Sequence, residues 1–223
     1  MTSHGPKQAL FAQFSAVAKG LAHVHRLELL EQLAQGERSV ETLAKRIGVS
    51  IANASQHLQQ MRRVGIVTAR RDGKFVYYRL ADDAVLELLA ALRRIAERNV
   101  AEVDRLIRSY FSDRNNLEPI SRDELIKQSR AGTVTVLDVR PTDEFALGHL
   151  PAAVNIPLRE LETRLAELDP AQEVVAYCRG PYCVLSYEAV AFLRQRGFTA
   201  RRLQDGLPEW RAAGLPVEKA ASS

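Results

Sequence analysis

Ser50-Ile51-Ala52-Asn53-Ala54-Ser55-Gln56-His57-Leu58-Gln59-Gln60-Met61-Arg62-Arg63-Val64-Gly65 leads straight into Ile66-Val67-Thr68-Ala69-Arg70-Arg71-Asp72-Gly73-Lys74-Phe75-Val76-Tyr77-Tyr78-Arg79-Leu80. In the first stretch Ala54, Leu58 and Met61 recur at helical spacing, Ser50 is placed to cap the start and Gly65 ends the run, which predicts a helix from about Ile51 to Val64. The second stretch has β-rich flanks around Asp72-Gly73, a strong short hairpin signal. Just upstream, residues 40–47 read as a short helix and Gly48-Val49-Ser50 as a turn. Residues 7–48 read as helical throughout, with Leu27, Leu29, Leu30 and Leu33 on one face and Gly36 as the stop. The order is therefore helix, turn, helix and then a hairpin wing.

Downstream, residues 83–111 carry Val85, Leu88, Leu89, Leu92, Ile95, Val103 and Leu106 in a helical pattern uninterrupted by Gly or Pro. Such a helix leaves an apolar stripe for a partner, and helix-turn-helix proteins usually pair to read two half-sites, so a homodimer is expected. The polar stretch 112–116 and Pro119 mark the best boundary, giving expected domains at 1–112 and 117–218. In the second of these, residues 134–139 and 173–177 are short apolar runs typical of buried parallel strands, with helical segments near 158–167 and 186–196. The expected fold class is a mainly α winged helix-turn-helix domain followed by an α/β domain around a central parallel sheet.

The 223 residues, 46% hydrophobic and 26% charged, suit two compact domains of ordinary composition. No apolar run reaches the roughly 20 residues that span a bilayer, and the first residues lack the apolar core of a signal peptide, so a cytoplasmic protein without membrane association is expected. The net charge of +4 is unevenly spread: residues 1–112 hold 17 Lys/Arg against 11 Asp/Glu, and residues 113–223 hold 14 against 16. Between Arg38 and Arg79 there are nine basic residues and two acids, Glu41 and Asp72, so the second helix and the wing share one basic segment. With Ala54, Leu58 and Met61 inward, Asn53, Gln56, Gln60 and Arg63 turn outward, and amides and guanidinium groups suit base edges and phosphates. Ser50, Asn53, Ser55, Gln56, Gln60 and Arg63 are the candidate DNA-reading residues, with Arg70, Arg71 and Lys74 as phosphate contacts at the wing. The expected partner is a double-stranded DNA operator.

Leu43-Ala44-Lys45-Arg46-Ile47-Gly48-Val49-Ser50 and the run from Ser55 through Val67 resemble the ArsR/SmtB family of winged-helix repressors, over about residues 8–100. His57 falls where that family often has His in a Ser-x-His-Leu motif, but its helical position flanks the core, which favours packing. Many family members sense metals through Cys pairs on the helix before the turn or His/Asp groups on the last helix. Here residues 40–46 contain no Cys and residues 83–111 no His. A metal site of either type is not expected, nor any other cofactor, and the signal must enter elsewhere.

The segment from Leu137-Asp138-Val139-Arg140-Pro141 through Glu144, His149 and Pro157 resembles the amino-terminal signature of rhodanese domains. Asp205-Gly206-Leu207-Pro208-Glu209-Trp210 resembles their closing motif, with Asp205 where Gly is commoner. In these motifs Asp138, Arg140, Glu144 and His149 read as architectural. The chain's two cysteines fall in Tyr177-Cys178-Arg179-Gly180-Pro181-Tyr182-Cys183-Val184, where a strand end gives way to a loop and then a helix. A loop of backbone N–H groups at a helix N-terminus favours a thiolate. The resemblance makes Cys178 the sulfur carrier, taking sulfane sulfur from a small donor such as thiosulfate or a polysulfide, with Arg179 attracting an anionic donor. Gly180, Pro181, Tyr182 and Val184 complete the loop, and Cys183 is either core filler or a resolving thiol; spacing leaves open whether it bridges to Cys178. Phosphatases and arsenate reductases of related fold end this loop in Arg, where Val184 stands here, which excludes them. The function expected is a DNA-binding regulator, in the manner of a repressor, that senses or carries reactive sulfur. The alternatives are a sulfurtransferase tethered to a DNA-binding domain and a rhodanese fold that serves only as a binding module.

Overall fold

The computed structural model describes residues 5–111 and 119–219. The expected boundary at 112–116 therefore lies outside the described residues. Contacts divide the chain into two compact units, Met1–Val85 and Leu86–Ser223.

In the first unit, α1 (Pro6–Leu21) and α2 (Val24–Ala34) precede β1 (Arg38–Ser39), α3 (Val40–Ile47), α4 (Ile51–Arg63), β2 (Val67–Asp72) and β3 (Phe75–Leu80). Local chemistry sets each boundary. Ser39 Oγ accepts from the Thr42 N–H at 3.3 Å and Ser50 Oγ from the Asn53 N–H at 3.2 Å, so both helices of the helix-turn-helix begin on serine caps. Gly48 closes α3 in the left-handed region at φ 72°. Leu29, Leu30, Leu43, Ala54, Leu58 and Met61 are fully buried between the helices, each large side chain contributing roughly 1.5–3 kcal/mol. Gly20 sits where α1 passes the end of α4: a Cβ there would lie 2.7 Å from Ile66 Cδ1 and 2.8 Å from Val64 Cγ2.

The wing is the expected hairpin, but its tip is displaced by one residue. Asp72 pairs with Phe75, so the turn is Gly73-Lys74, with Gly73 taking the positive φ of 55°. The reading of residues 7–48 as helical throughout is corrected by β1, whose two residues pair with Tyr77 and Tyr78 and make the hairpin a three-stranded antiparallel sheet ordered β1-β3-β2.

Helix α5 (Ala84–Asn99) starts four residues beyond Leu80 at the end of β3 and runs into the second unit, followed by α6 (Ala101–Phe111). The sequence pattern has no break here, yet the helix stops at Val100. At its end the Asn99 amide donates to the Ile95 carbonyl at 2.9 Å and the Val100 N–H to the Ala96 carbonyl at 2.9 Å. Beyond lie α7 (Arg122–Arg130), β4 (Val134–Asp138), α8 (Thr142–Leu147), β5 (Val154–Asn155), β6 (Glu173–Tyr177), α9 (Val184–Gln195), β7 (Ala200–Arg202) and α10 (Leu207–Ala212). The helical reading of residues 158–167 resolves into two 3-10 turns, Leu158–Glu160 and Leu165–Glu167.

The four strands form a parallel sheet in the order β5-β4-β6-β7, with a core on each face. Strand alternation sorts the side chains. Leu137, Val139, Val174, Ala176 and Cys178 join Ala189, Val190 and Leu193 of α9 in one core, whereas Val134, Val136, Val175 and Tyr177 join Leu125, Leu207 and Trp210 in the other. One buried polar knot ties the carboxyl ends of β4 and β6. Arg140 and Asp138, both fully buried, form a bidentate pair; Tyr177 donates to Asp138 at 2.5 Å and Arg140 donates to the Gly148 carbonyl at 2.8 Å. Together they fix the strand ends from which the cysteine loop departs.

Candidate functional site

Cys178 follows β6 directly, and alternation turns it into the core beneath α9, where it is 1% exposed. Cys183 is the N-cap residue of α9, and its sulfur is bonded to that of Cys178, the Cα atoms being 6.3 Å apart. The four residues between them form a tight loop. The Cys183 N–H donates to the Gly180 carbonyl at 3.1 Å, Tyr187 donates its hydroxyl to the Pro181 carbonyl at 3.3 Å, and Ser186 donates to the Cys183 carbonyl at 3.3 Å. Behind the loop, the Leu207 N–H donates to the Cys178 carbonyl at 3.3 Å. Gly206 presses so close that a Cβ would lie 2.4 Å from the Gly180 nitrogen and 2.6 Å from the Arg179 carbonyl carbon. A substituent at residue 206 must therefore move the loop backbone.

The charges around the loop are paired. Arg179 donates through Nη2 to Glu144 Oε1 at 2.7 Å and through Nε to Oε2 at 2.9 Å, on a carboxylate that is fully buried. Glu209 Oε2 accepts the Gly206 N–H at 3.0 Å, and its other oxygen receives Arg93 Nη1 at 2.6 Å. The α9 N-terminus contributes partial positive charge where Cys183 caps it.

In the first unit, the outward face of α4 and the wing carry the cations. Asn53, Gln56, Arg62, Arg63, Arg71 and Lys74 are exposed. Ser55, Gln59, Arg62, Arg63 and Arg71 line one open groove of about 470 Å³ with Val40, Val76 and Tyr78. Arg70 is different: its Nε donates to both oxygens of Glu37 at 2.9 and 3.0 Å, its Nη1 to Asp72 at 3.0 Å, and its guanidinium lies 4.6 Å from the Tyr77 ring centre. His57 packs its ring 4.3 Å from that of His23 and 5.8 Å from that of His25. Burial, then the neighbouring His23, Arg26 and His25, hold its pKa below the ordinary histidine value.

Two domain families match the chain: a helix-turn-helix domain over residues 21–70 and a rhodanese-like domain over residues 121–213. Over 215 residues the chain is 44% identical to the HTH-type transcriptional regulator Rv0324 of Mycobacterium tuberculosis, covering 96% of this chain and 94% of that one. The chain belongs to the ArsR-type helix-turn-helix regulators that carry a carboxy-terminal rhodanese-like domain. The regulator is also 35% identical over 97 residues to a sulfurtransferase of Allochromatium vinosum, covering 42% of this chain and 89% of that one. Among solved structures, the homodimeric winged helix-turn-helix DNA-binding domain of a possible ArsR-family regulator from Mycobacterium bovis is 39% identical, with a TM-score of 0.41, covering 45% of this chain and 93% of that one.

In the regulator the sequence-selected residues fall into two groups by location. Cys178, Arg179, Gly180, Pro181, Tyr182, Cys183 and Val184 are brought together around one buried sulfur. Arg179, expected to draw in an anionic donor, pairs with Glu144 of α8. Of the DNA-side residues, Ser50 uses its hydroxyl as the cap of α4, and Ser55 Oγ accepts from Gln59 Nε2 at 3.2 Å. Arg70 is compensated by two carboxylates, which weakens its case as a phosphate contact relative to Arg71. Sequence reasoning missed Arg62 and Gln59, which share the groove with Arg63 and Arg71. Helical geometry contained that signal, because residue 59 stands three and four positions before residues 62 and 63.

Proposed function

We propose that the regulator binds its operator as a homodimer and that the sulfur state of Cys178 sets its affinity for DNA. The observation that carries this reading is the Cys178–Cys183 pair at a rhodanese-type loop, in a chain whose other half is a DNA-binding fold. The exposed apolar side chains of α1 (Leu10, Phe11, Phe14) and α5 (Leu88, Leu92, Ile95) support pairing with a second copy.

The chemistry balances in two steps. The Cys178 thiolate attacks the outer sulfur of a low-molecular-weight persulfide, a new S–S bond forms, the donor's S–S bond breaks, and the departing sulfur takes up the outer sulfur's proton and leaves as the free thiol. Cys183 then attacks Cys178 Sγ, its thiol proton passing to the outgoing sulfur, and displaces the sulfane sulfur as hydrosulfide. Two protein thiols lose two electrons and the sulfane sulfur gains them. The product is the disulfide seen in the structure; the intermediate is an anionic persulfide at the N-terminus of α9.

Intact-mass analysis after brief polysulfide treatment, beside operator titrations at fixed salt, tests this. Wild type is expected to reach the disulfide, Cys183→Ser to stop with added sulfur on Cys178, and Cys178→Ser to add none and show no change in DNA affinity. Sulfur loading of wild type without any affinity change would leave a sulfurtransferase merely tethered to a DNA-binding domain. An inert Cys178 would leave a binding module.

A further inference from the structure

Tyr182 is the loop residue next to Cys183, and its hydroxyl donates to Glu97 Oε1 on α5. Glu97 in turn lies 3.4 Å from Arg93 Nε, one helical turn back, and Arg93 reaches Glu209 at 2.6 Å. Glu209 holds the Gly206 N–H, and Gly206 lies against the backbone of Arg179 and Gly180. Two residues on one face of α5 thus grip the cysteine loop at both ends, through Tyr182 and through Glu209. All of these residues belong to the second unit. The same helix begins at Ala84, four residues beyond Leu80 at the end of the wing strand β3.

Sterics require a second arrangement of the loop once Cys178 carries an added sulfur. Cys178 is 1% exposed, and the position its sulfur faces is filled by the sulfur of Cys183. A persulfide needs one more sulfur atom about 2 Å from Cys178 Sγ, so Cys183 must vacate that position. Tyr182 is bonded to Cys183 through one peptide unit and moves with it. An O–H···O bond holds only over roughly 2.5–3.0 Å, so a displacement of this size breaks it.

We propose that the Tyr182–Glu97 contact is a latch on the sulfur site, closed when Cys178 and Cys183 are joined and open when Cys178 carries a sulfane sulfur, with α5 relaying its state to the wing. This rests on the function proposed above and names its transmitting contact. Closing the latch accompanies the second step already balanced, in which Cys183 displaces hydrosulfide from Cys178. Burial and the neighbouring Glu97 carboxylate push the Tyr182 pKa upward, so the phenol stays a donor at neutral pH.

The test uses the full-length chain as wild type, Glu97→Ala and Glu97→Gln, since Glu97 takes no part in sulfur chemistry or DNA reading. Operator affinity is measured for the reduced, persulfidated (on a Cys183→Ser background) and disulfide forms, with an operator duplex selected from a random pool. Intact mass confirms each state. Between disulfide and persulfide forms, wild type is expected to differ by a factor within the roughly five- to 150-fold range of allosteric couplings. Glu97→Ala reaches the same sulfur states, yet its ratio falls to within about twofold. Glu97→Gln, which keeps an oxygen for the phenol, retains most of the wild-type ratio. A purely structural role would lower the melting temperature and leave the ratio intact. A wild-type ratio in Glu97→Ala, or equal loss in both variants, overturns the latch while leaving the sulfur-responsive function standing. The absence of any ratio with Glu97 intact overturns both, and is seen before Glu97 is changed.

Discussion

Truncating Glu144 removes the anchor of the cysteine loop, and the structure sets the size of the effect. The Glu144 side chain is fully buried, Arg179 is 24% exposed, and two hydrogen bonds of 2.7 and 2.9 Å join them. Removing one partner of a buried pair costs about 3–5 kcal/mol. Because Arg179 keeps some access to water, the lower end applies, about 3 kcal/mol for Glu144→Ala. In a unit of this size that corresponds to a fall in melting temperature of roughly 10 °C. The chain has one tryptophan, Trp210, buried in the second unit, so its fluorescence follows that unit alone. Pairing Glu144→Leu with Arg179→Met, which removes both charges, should recover much of the loss, because well-packed apolar side chains often replace a buried ion pair at little cost. A Glu144→Ala melt within about 1 °C of wild type, or a double variant no better than the single, would refute the assignment of Arg179 to loop anchoring.

Gly206→Ala places a Cβ 2.4 Å from the Gly180 nitrogen; the loop is expected to shift and the polysulfide reaction of Cys178 to slow at least tenfold, about 1.4 kcal/mol of barrier, and stopped-flow rates equal to wild type would contradict the close approach. Arg62→Ala and Arg71→Ala should each weaken DNA binding across sequences and reduce the slope of log affinity against log salt by about one, whereas Arg70→Ala, already compensated by Glu37 and Asp72, should change that slope less; titrations from low to moderate salt decide it. His57 has a pKa below its ordinary value, so as pH falls the unfolded chain takes up the proton first. Its contribution to stability is therefore complete above about pH 6.5 and lost on acidification below it. Amide hydrogen exchange in the first unit should show a smaller acid loss in His57→Gln, and an identical loss would sink this reading.

What the sequence made legible was local. Ser50 caps the helix it was expected to cap, and the short apolar runs of β4 and β6 predict the parallel sheet. The wing was readable from its β-rich flanks, although the turn centres on Gly73-Lys74 because strand register, not the Asp72-Gly73 pair alone, sets the tip. Elements that depend on distant partners were hidden. The strand β1 exists because β3 offers it a ladder, and no propensity within Arg38-Ser39 announces that. The break at Val100 falls inside an unbroken helical pattern, and no residue type there announces it. Arg179 meets Glu144 across 35 positions and Arg70 meets Glu37 across 33, so the compensation of both arginines became visible only in the fold. The same holds for the meeting of Tyr182 with Glu97.

The most direct measurement of the central claim is operator affinity followed by fluorescence anisotropy on one sample of wild type, first reduced, then treated with polysulfide, then reduced again. The affinity is expected to change on treatment by at least about fivefold, about 1 kcal/mol of coupling, to return on reduction, and to stay constant throughout in Cys178→Ser. A wild-type affinity that holds still while mass spectrometry shows the Cys178–Cys183 disulfide forming would contradict a sulfur-responsive regulator.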